Sequence, residues 1–107
     1  MFIQIVNFNL KNMTPAEFEK LCDDLAPQFA ALPGLISKVW LADADSNTFG
    51  GVYNWQDRSA CEAYKQSELF RAVVTHPNLT NLSSREFGIL EEPTHVTRGL
   101  AARGRAA

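Results

Sequence analysis

Histidine and cysteine are scarce in this sequence, with two of each among 107 residues. His76 and His95 do not stand at metal-ligand spacing from aspartate, glutamate or cysteine, which argues against a metal centre. Gly50 and Gly51 are the only adjacent glycines, and they lack the spacing of a phosphate-binding loop. No G-x-S-x-G sequence occurs either. Metal, nucleotide and acyl-enzyme mechanisms are therefore disfavoured, and we expect no cofactor.

Long apolar runs are also missing, since no stretch approaches the roughly 18 residues that a membrane-spanning helix needs. Residues 1–5 lack the basic segment of a secretory signal. Cys22 and Cys61 each lie in a helical pattern, and without a secretory signal they are expected to be buried thiols rather than a disulfide or a reactive nucleophile. These features predict a cytoplasmic protein with no membrane partner.

The charge is distributed unevenly along the chain. Three of the ten basic residues, Arg98, Arg103 and Arg105, fall in the last ten positions, so residues 1–97 carry seven basic residues against all twelve acidic ones. An acidic body of this kind argues against nucleic-acid binding, which needs clustered basic charge. We predict a single domain over residues 1–98 and a disordered basic tail over residues 99–107, with a basic contact arm as the alternative for the tail.

The hydrophobic pattern predicts alternating strands and helices. Residues 2–9 are typical of a strand covered on both faces. A helix is predicted from Thr14, which can form a capping box with Glu17, and Pro27 is expected to kink or split it near residues 23–24. Asp57 and Ser67 are predicted caps of two further helices. Residues 84–90 predict the last strand, and residues 94–100 a short helical turn.

Two runs rich in β-branched and aromatic residues, 35–42 and 48–55, predict a hairpin. Its register places Trp40 opposite Gly50 and Gly51. Glycine inside a strand marks a bulge or the close approach of another group. The indole ring therefore either fills the gap or forms the wall of a pocket.

The predicted order β-α-β-β-α-β indicates an α+β, ferredoxin-like fold with one four-stranded antiparallel sheet and both helical segments on one face. The opposite face of the sheet is also apolar in the first two strands. Because such a face must be covered, we predict a homodimer that forms through the sheet faces.

The segments PGLISKVW and FGGVYNW, followed by a capped helix that bears Tyr64, resemble the dimeric α+β barrel superfamily of antibiotic-biosynthesis-type monooxygenases. Within it they are most similar to the YdhR-type subgroup. The resemblance implies a dimeric barrel with a pocket between each sheet and its helices. Relatives of this kind oxidise aromatic polyketides with O₂ and without metal or flavin, and others degrade haem or act as isomerases or dehydratases.

The haem-degrading relatives share an asparagine, a tryptophan and a histidine at set positions. Asn7 can match the asparagine, but Tyr64 stands where the tryptophan falls and Val74 where the histidine falls. The resemblance therefore disfavours haem.

Three polar residues are candidate catalytic groups. Asn7 interrupts an apolar strand face and either bonds the backbone or holds a ligand carbonyl. The Tyr53 hydroxyl can orient a planar substrate. His76 can act as a general base, although its place at a helix end equally suits a capping role.

Four further residues are candidate substrate contacts. Trp40 and Trp55 are predicted walls of an apolar slot, with core packing as the alternative. Tyr64 is likewise a predicted substrate contact, with core packing as the alternative. Lys38 lies on a predicted edge strand, where it either blocks edge pairing or stands desolvated beside a pocket.

These residues favour a cofactor-independent monooxygenase for a small planar aromatic or polyketide-like substrate. The alternatives are a non-catalytic homodimer that binds a small apolar ligand, and an isomerase or dehydratase on the same scaffold.

Overall fold

The structure, a computed structural model, describes residues 1–99. The four strands form one antiparallel sheet in the order β2-β3-β1-β4. The elements in chain order are β1 (Phe2–Leu10), α1 (Pro15–Ala30), β2 (Leu35–Asp43), β3 (Thr48–Trp55), α2 (Arg58–Lys65), α3 (Glu68–Val74), β4 (Leu79–Gly88) and α4 (Glu91–Val96). The α+β, ferredoxin-like fold predicted from the sequence is confirmed. The predicted tail lies outside the described residues apart from Gly99.

The helices begin where capping side chains predict them. The Thr14 hydroxyl accepts a hydrogen bond from the Glu17 amide at 3.1 Å, and the Glu17 carboxylate accepts one from the Thr14 amide at 2.8 Å. Asp57 and Ser67 cap α2 and α3. The predicted split of α1 is wrong, because Pro27 lies inside one helix of 16 residues. Pro27 lacks only its own amide bond, close to the helix end, so the helix continues past it.

The last strand and the last helix differ from their predicted ranges. β4 begins at Leu79, five residues before the predicted start, and ends at Gly88 rather than residue 90. Its first half was missed because its pairing with β1 shifts register between Asn7 and Asn9, and Asn81 there has a φ of +55°. α4 begins at Glu91, three residues earlier than predicted.

The two faces of the sheet have different environments. Side chains of β1 alternate between buried and half-buried along the whole strand. The buried set packs against α1, α2 and α3 to form the core, and we call this side the helix face. The other side, which we call the open face, carries Ile3, Ile5 and Asn7 of β1.

The hairpin has the predicted register. Trp40 pairs with Gly51 and Leu41 pairs with Gly50. At Gly50 the backbone has a φ of +155°, and a Cβ atom there would stand 1.8 Å from the carbonyl oxygen of Val6. Glycine is therefore required where β3 crosses against β1.

Within residues 1–99, no helix is both long enough and apolar enough to cross a membrane.

Candidate functional site

Lys38 lies on the helix face, where its ammonium group is surrounded by aromatic rings. Its partner across the hairpin is Tyr53, which points to the same face. The Nζ atom lies 3.4 Å from the ring centroids of both Phe29 and Trp40, and 4.6 Å from that of Tyr53. Cations bind to the faces of such rings within about 6 Å. β2 is an edge strand as predicted, but Lys38 points towards the helices and does not block pairing at the edge of the sheet.

The missing side chain at Gly51 makes room for this lysine. A Cβ atom at Gly51 would stand 2.8 Å from Cε of Lys38 and 3.4 Å from the Tyr53 ring. The gap in β3 opposite Trp40 is therefore occupied by the stem of Lys38. Of the two alternatives for the Trp40 indole, filling the gap is wrong, because Lys38 fills it, and Trp40 instead lines both cavities.

Burial changes the protonation of Lys38. Desolvation lowers its pKa to about 7, against the opposing influence of Cys22. Burial also raises the pKa of the Cys22 thiol to about 11, although Lys38 acts in the opposite direction. Because the lysine loses its proton well before the thiol does, both groups are neutral between about pH 7 and pH 11. The pair is a neutral amine beside a neutral thiol rather than an ion pair.

Two neighbouring cavities lie beside α1 and the hairpin and share three lining residues. The outer one, which we call the cleft, has a volume of about 460 Å³ and is lined by Trp40, Cys22 and Phe18 among others. The inner cavity has a volume of about 40 Å³, and Lys38 and Tyr53 line it together with the same three residues. The cleft falls within the roughly 300–1,000 Å³ typical of small-molecule sites, and the inner cavity has room for a water molecule or a small substituent.

Tyr53 is held in place by other aromatic groups. Its ring stacks on Trp55 with a centroid distance of 5.8 Å and an interplanar angle of 4°. Its hydroxyl lies 3.2 Å from that of Tyr64. Burial, with Tyr64 nearby, raises the pKa of Tyr53 above its ordinary value, and burial raises that of Tyr64 to about 12. Both phenols are therefore neutral at physiological pH, and when Tyr64 donates to Tyr53, the Tyr53 proton is free for a ligand.

A family model described as putative mono-oxygenase ydhR matches residues 3–100. The chain belongs to the YdhR family. None of the curated proteins matches it.

Solved structures with the same fold include oxygenases and a haem-degrading protein. A putative antibiotic biosynthesis monooxygenase from Deinococcus radiodurans has a TM-score of 0.70 and 17% identity, covering 85% of this chain and 94% of that one. A variant of SnoaB, a cofactor-independent oxygenase from Streptomyces nogalater, has a TM-score of 0.66 and 24% identity, covering 84% and 94%. The heme-degrader MhuD from Mycobacterium tuberculosis, with two hemes in its active site, has a TM-score of 0.69 and 20% identity, covering 86% and 98%. At these identities the likeness establishes the fold.

Not all the predicted site residues of this YdhR-family chain come together. Lys38, Trp40 and Tyr53 line the cavities. Asn7 does not, because strand alternation places it on the open face. His76 follows α3, and its Nδ1 accepts a hydrogen bond from the Asn78 amide at 3.1 Å. The joint site predicted for Asn7, Tyr53 and His76 is therefore not formed within one chain.

In this YdhR-family fold, Trp55 and Tyr64 pack against the ring of Tyr53. Both are buried and neither lines the cleft or the inner cavity. Their place beside Tyr53 favours the core-packing alternative over direct substrate contact. Phe29 and Cys22 are members of the site that sequence reasoning placed only in the helix core.

Gln4 is a buried polar residue that sequence reasoning overlooked. Its Oε1 accepts a hydrogen bond from Nε1 of Trp55 at 3.0 Å, and its Nε2 donates to Oγ of Ser84 at 3.0 Å. The signal was a single amide on the otherwise apolar inner face of β1. It orients the indole ring on which Tyr53 stacks.

Replacing Gln4 with methionine is expected to lower the free energy of unfolding by about 1–3 kcal/mol. The similar shape is kept, but the buried Trp55 N–H loses its acceptor and bears the full desolvation cost. Denaturant titration followed by tryptophan fluorescence measures the change. Gln28→Met on the exposed side of α1 is the control, with less than about 0.5 kcal/mol expected. Equal effects of both substitutions would contradict the role given to Gln4.

The described part of the YdhR-family chain, residues 1–99, contains no cluster of three or more histidine, cysteine, aspartate or glutamate side chains placed to hold a metal. The polar side chains that line the inner cavity carry an amine, a phenol and a thiol, and the carboxylates of Glu19 and Asp23 line the cleft.

Proposed function

We propose that this chain is a monooxygenase that oxidises a small planar aromatic or polyketide-like substrate with O₂, without metal or flavin, in the cleft between α1 and the hairpin. The observation that carries the proposal is a largely apolar cleft walled by Trp40, beside an inner cavity that Lys38 and Tyr53 line. That the solved neighbour SnoaB is a cofactor-independent oxygenase supports this function.

The proposed reaction converts an activated methylene group to a carbonyl. One molecule of O₂ supplies an oxygen atom to the carbon and an oxygen atom to water, so R₂CH₂ and O₂ give R₂C=O and H₂O. The substrate supplies the electrons once it has lost a proton. The protein's part is to exclude water and to donate a hydrogen bond to the oxygen on which negative charge develops.

Tyr53 is the proposed donor. Its side chain lines the inner cavity, and its hydroxyl lies 3.2 Å from that of Tyr64. Trp40 provides the flat wall along which a planar substrate lies. Asn7 and His76 keep their predicted catalytic roles only if the partner chain or a movement of the turn after α3 brings them to the cleft.

Oxidation of dithranol, an anthrone with an activated methylene group, tests this proposal. We expect O₂ uptake and carbonyl product in air but not under argon, at a rate above the uncatalysed oxidation. Tyr53→Phe is expected to lower kcat/KM by about 10²-fold, because loss of one such donor has an effect of this order. Val74→Ala on the surface of α3 is the control.

Saturable quenching of tryptophan fluorescence by dithranol with no O₂ uptake would overturn the monooxygenase proposal. That result would identify the alternative, a protein that binds a small apolar ligand without transforming it.

We further propose that two chains associate through their open faces. Helices α1, α2 and α3 pack on the helix face. Val39 of β2 and Phe87 of β4 stand on the open face with 56% and 42% of their surface exposed. A second copy of the chain offers the same apolar residues in return, as a two-fold symmetric interface requires.

A further inference from the structure

Lys38 lines the inner cavity, and its amine has no hydrogen-bond or ion-pair partner among residues 1–99. Within residues 1–99 every fully buried side-chain nitrogen or oxygen has a hydrogen-bond partner. No hydrogen bond or ion pair joins Nζ of Lys38 to another residue of that range, so the atom is not sealed inside the core. Its nearest neighbours are the faces of Phe29 and Trp40. A lysine held in this way is available to whatever enters the cavity.

We propose that Lys38 is the general base of this site, and that its substrates are planar molecules with an acidic proton next to a conjugated oxygen, that is phenols and enolisable aryl ketones. This inference rests on the proposed function and names the residue and the substrate class that the function needs.

The chemistry is one proton transfer. The lone pair of the neutral amine takes the proton from the substrate O–H or C–H, and the electrons of that bond stay on the substrate as a phenolate or enolate. The resulting ammonium remains beside the anion and balances its charge. The anion then reduces O₂, as the proposed oxygenation requires.

The surroundings favour this role over that of a fixed cation. Burial among aromatic rings holds the pKa of Lys38 at about 7, so the amine is largely neutral above neutral pH. Such a value suits a general base that works near physiological pH. The aromatic rings still stabilise the ammonium once it forms.

The titratable groups around Lys38 do not supply a competing base. Cys22 of α1 and Tyr53 of β3 line the same inner cavity, and burial raises the pKa of both. Tyr64 of α2 lies beside Tyr53, and burial also raises the pKa of Tyr64. Glu19 and Asp23 of α1 line the cleft but not the inner cavity. Lys38 is therefore the group of the inner cavity that changes protonation near neutrality.

The first measurement needs no turnover. The lysines of the intact protein are dimethylated with ¹³C-formaldehyde and their methyl signals are followed by NMR between pH 5 and pH 11. The Lys38 signal is assigned by its absence from Lys38→Arg. We expect its midpoint near pH 7, about three pH units below the ordinary lysine value. A midpoint above pH 9 would overturn the proposal.

The second measurement follows deprotonation of a bound phenol. 2-Naphthol is added to the wild type and to Lys38→Met, and the naphtholate absorption of the bound ligand is recorded as the pH is raised. We expect the bound phenol to ionise at a lower pH in the wild type than in Lys38→Met, because the ammonium that proton transfer leaves stabilises the adjacent anion, and tryptophan quenching shows that both proteins bind the phenol. Ionisation at the same pH in both proteins would overturn the proposal.

The third measurement is the pH profile of dithranol oxidation. Because the base must be neutral, kcat/KM of the wild type is expected to rise with pH through about 7 and then level off. Lys38→Met and Lys38→Arg are expected to lose this limb and to be roughly 10²-fold slower at pH 8, within the range of general-base effects. Lys20→Met on the exposed side of α1 is the control, and circular dichroism checks that each variant is folded.

The outcomes separate this inference from the proposed function. If Lys38→Arg keeps full activity, Lys38 acts as a fixed cation and the base assignment is wrong, while the monooxygenase remains. If bound 2-naphthol ionises at a lower pH in the wild type than in Lys38→Met but the wild type never consumes O₂ with dithranol, the base assignment stands and the monooxygenase proposal fails.

Discussion

Replacing Gly50 with alanine is expected to be the most damaging single change in the sheet, with a loss on the order of 4 kcal/mol of stability or more. The added Cβ would stand 1.8 Å from the carbonyl oxygen of Val6, which belongs to the backbone of the central strand and cannot move aside alone. The φ of +155° at Gly50 adds backbone strain for any other residue. Because small domains have only about 5–15 kcal/mol in total, much of the stability margin is lost.

Thermal unfolding followed by circular dichroism measures this effect. A loss of this size corresponds to a decrease in Tm of very roughly 15–30 °C for a domain of this length. Gly88→Ala is the matched control, since a Cβ atom there would meet no atom within 4 Å. A Gly50→Ala protein that melts within 3 °C of the wild type would show that β1 and β3 are not held as closely as described.

Replacing Val39 with lysine is expected to weaken association of two chains by about 10²-fold or more. The valine lies on the open face of β2, and a second copy seated there would bury the new charge without a partner. An uncompensated buried charge costs about 3–5 kcal/mol, which corresponds to a change of this size in the dissociation constant.

Light scattering over a dilution series measures this association. The wild type is expected at twice the chain mass of 11.9 kDa, and Val39→Lys at the mass of a single chain in the same concentration range. Val74→Lys is the matched control, because Val74 is a similarly exposed valine, 46% accessible, on α3. If both variants stay dimeric, the two chains meet through another surface. If the wild type has the mass of a single chain, 11.9 kDa, at every concentration, the proposal of a dimer is wrong.

The fold was predictable from the sequence because its signals are local. Thr14, Asp57 and Ser67 mark helix starts through side-chain hydrogen bonds that span three residues. The hairpin register followed from two apolar runs and a short turn. The range of β4 was harder to predict, because its first half is polar and its register with β1 is set by a bulge opposite Asn7 and Asn9. That bulge is a property of the assembled sheet rather than of either strand alone.

The site was only partly predictable, for a related reason. Strand alternation could place Lys38, Trp40 and Tyr53 on one face, but not say which face the helices cover. The burial that lowers the pKa of Lys38 exists only in the assembled fold, where Phe29 of α1 packs over its amine. The same uncertainty about faces led to the prediction that Asn7 and Tyr53 belong to one site, although they lie on opposite faces of the sheet. Gln4 was missed because an amide on an apolar face gives no sign of which indole it will bond.

The position of β2 at the edge of the sheet affects how the cleft opens. Among residues 1–99 this strand pairs only with β3, yet it carries Trp40 and Lys38. The wall of the cleft that β2 forms is thus hydrogen-bonded to the sheet along one edge of the strand only, while α1 forms the opposite wall. Outward fluctuation of β2 would widen the entrance without disturbing the central strands, and a ligand that touches both Trp40 and α1 would join the two sides. Amide protons of β2 should then exchange with solvent more slowly when the cleft is occupied, so that occupancy is visible before any product is known.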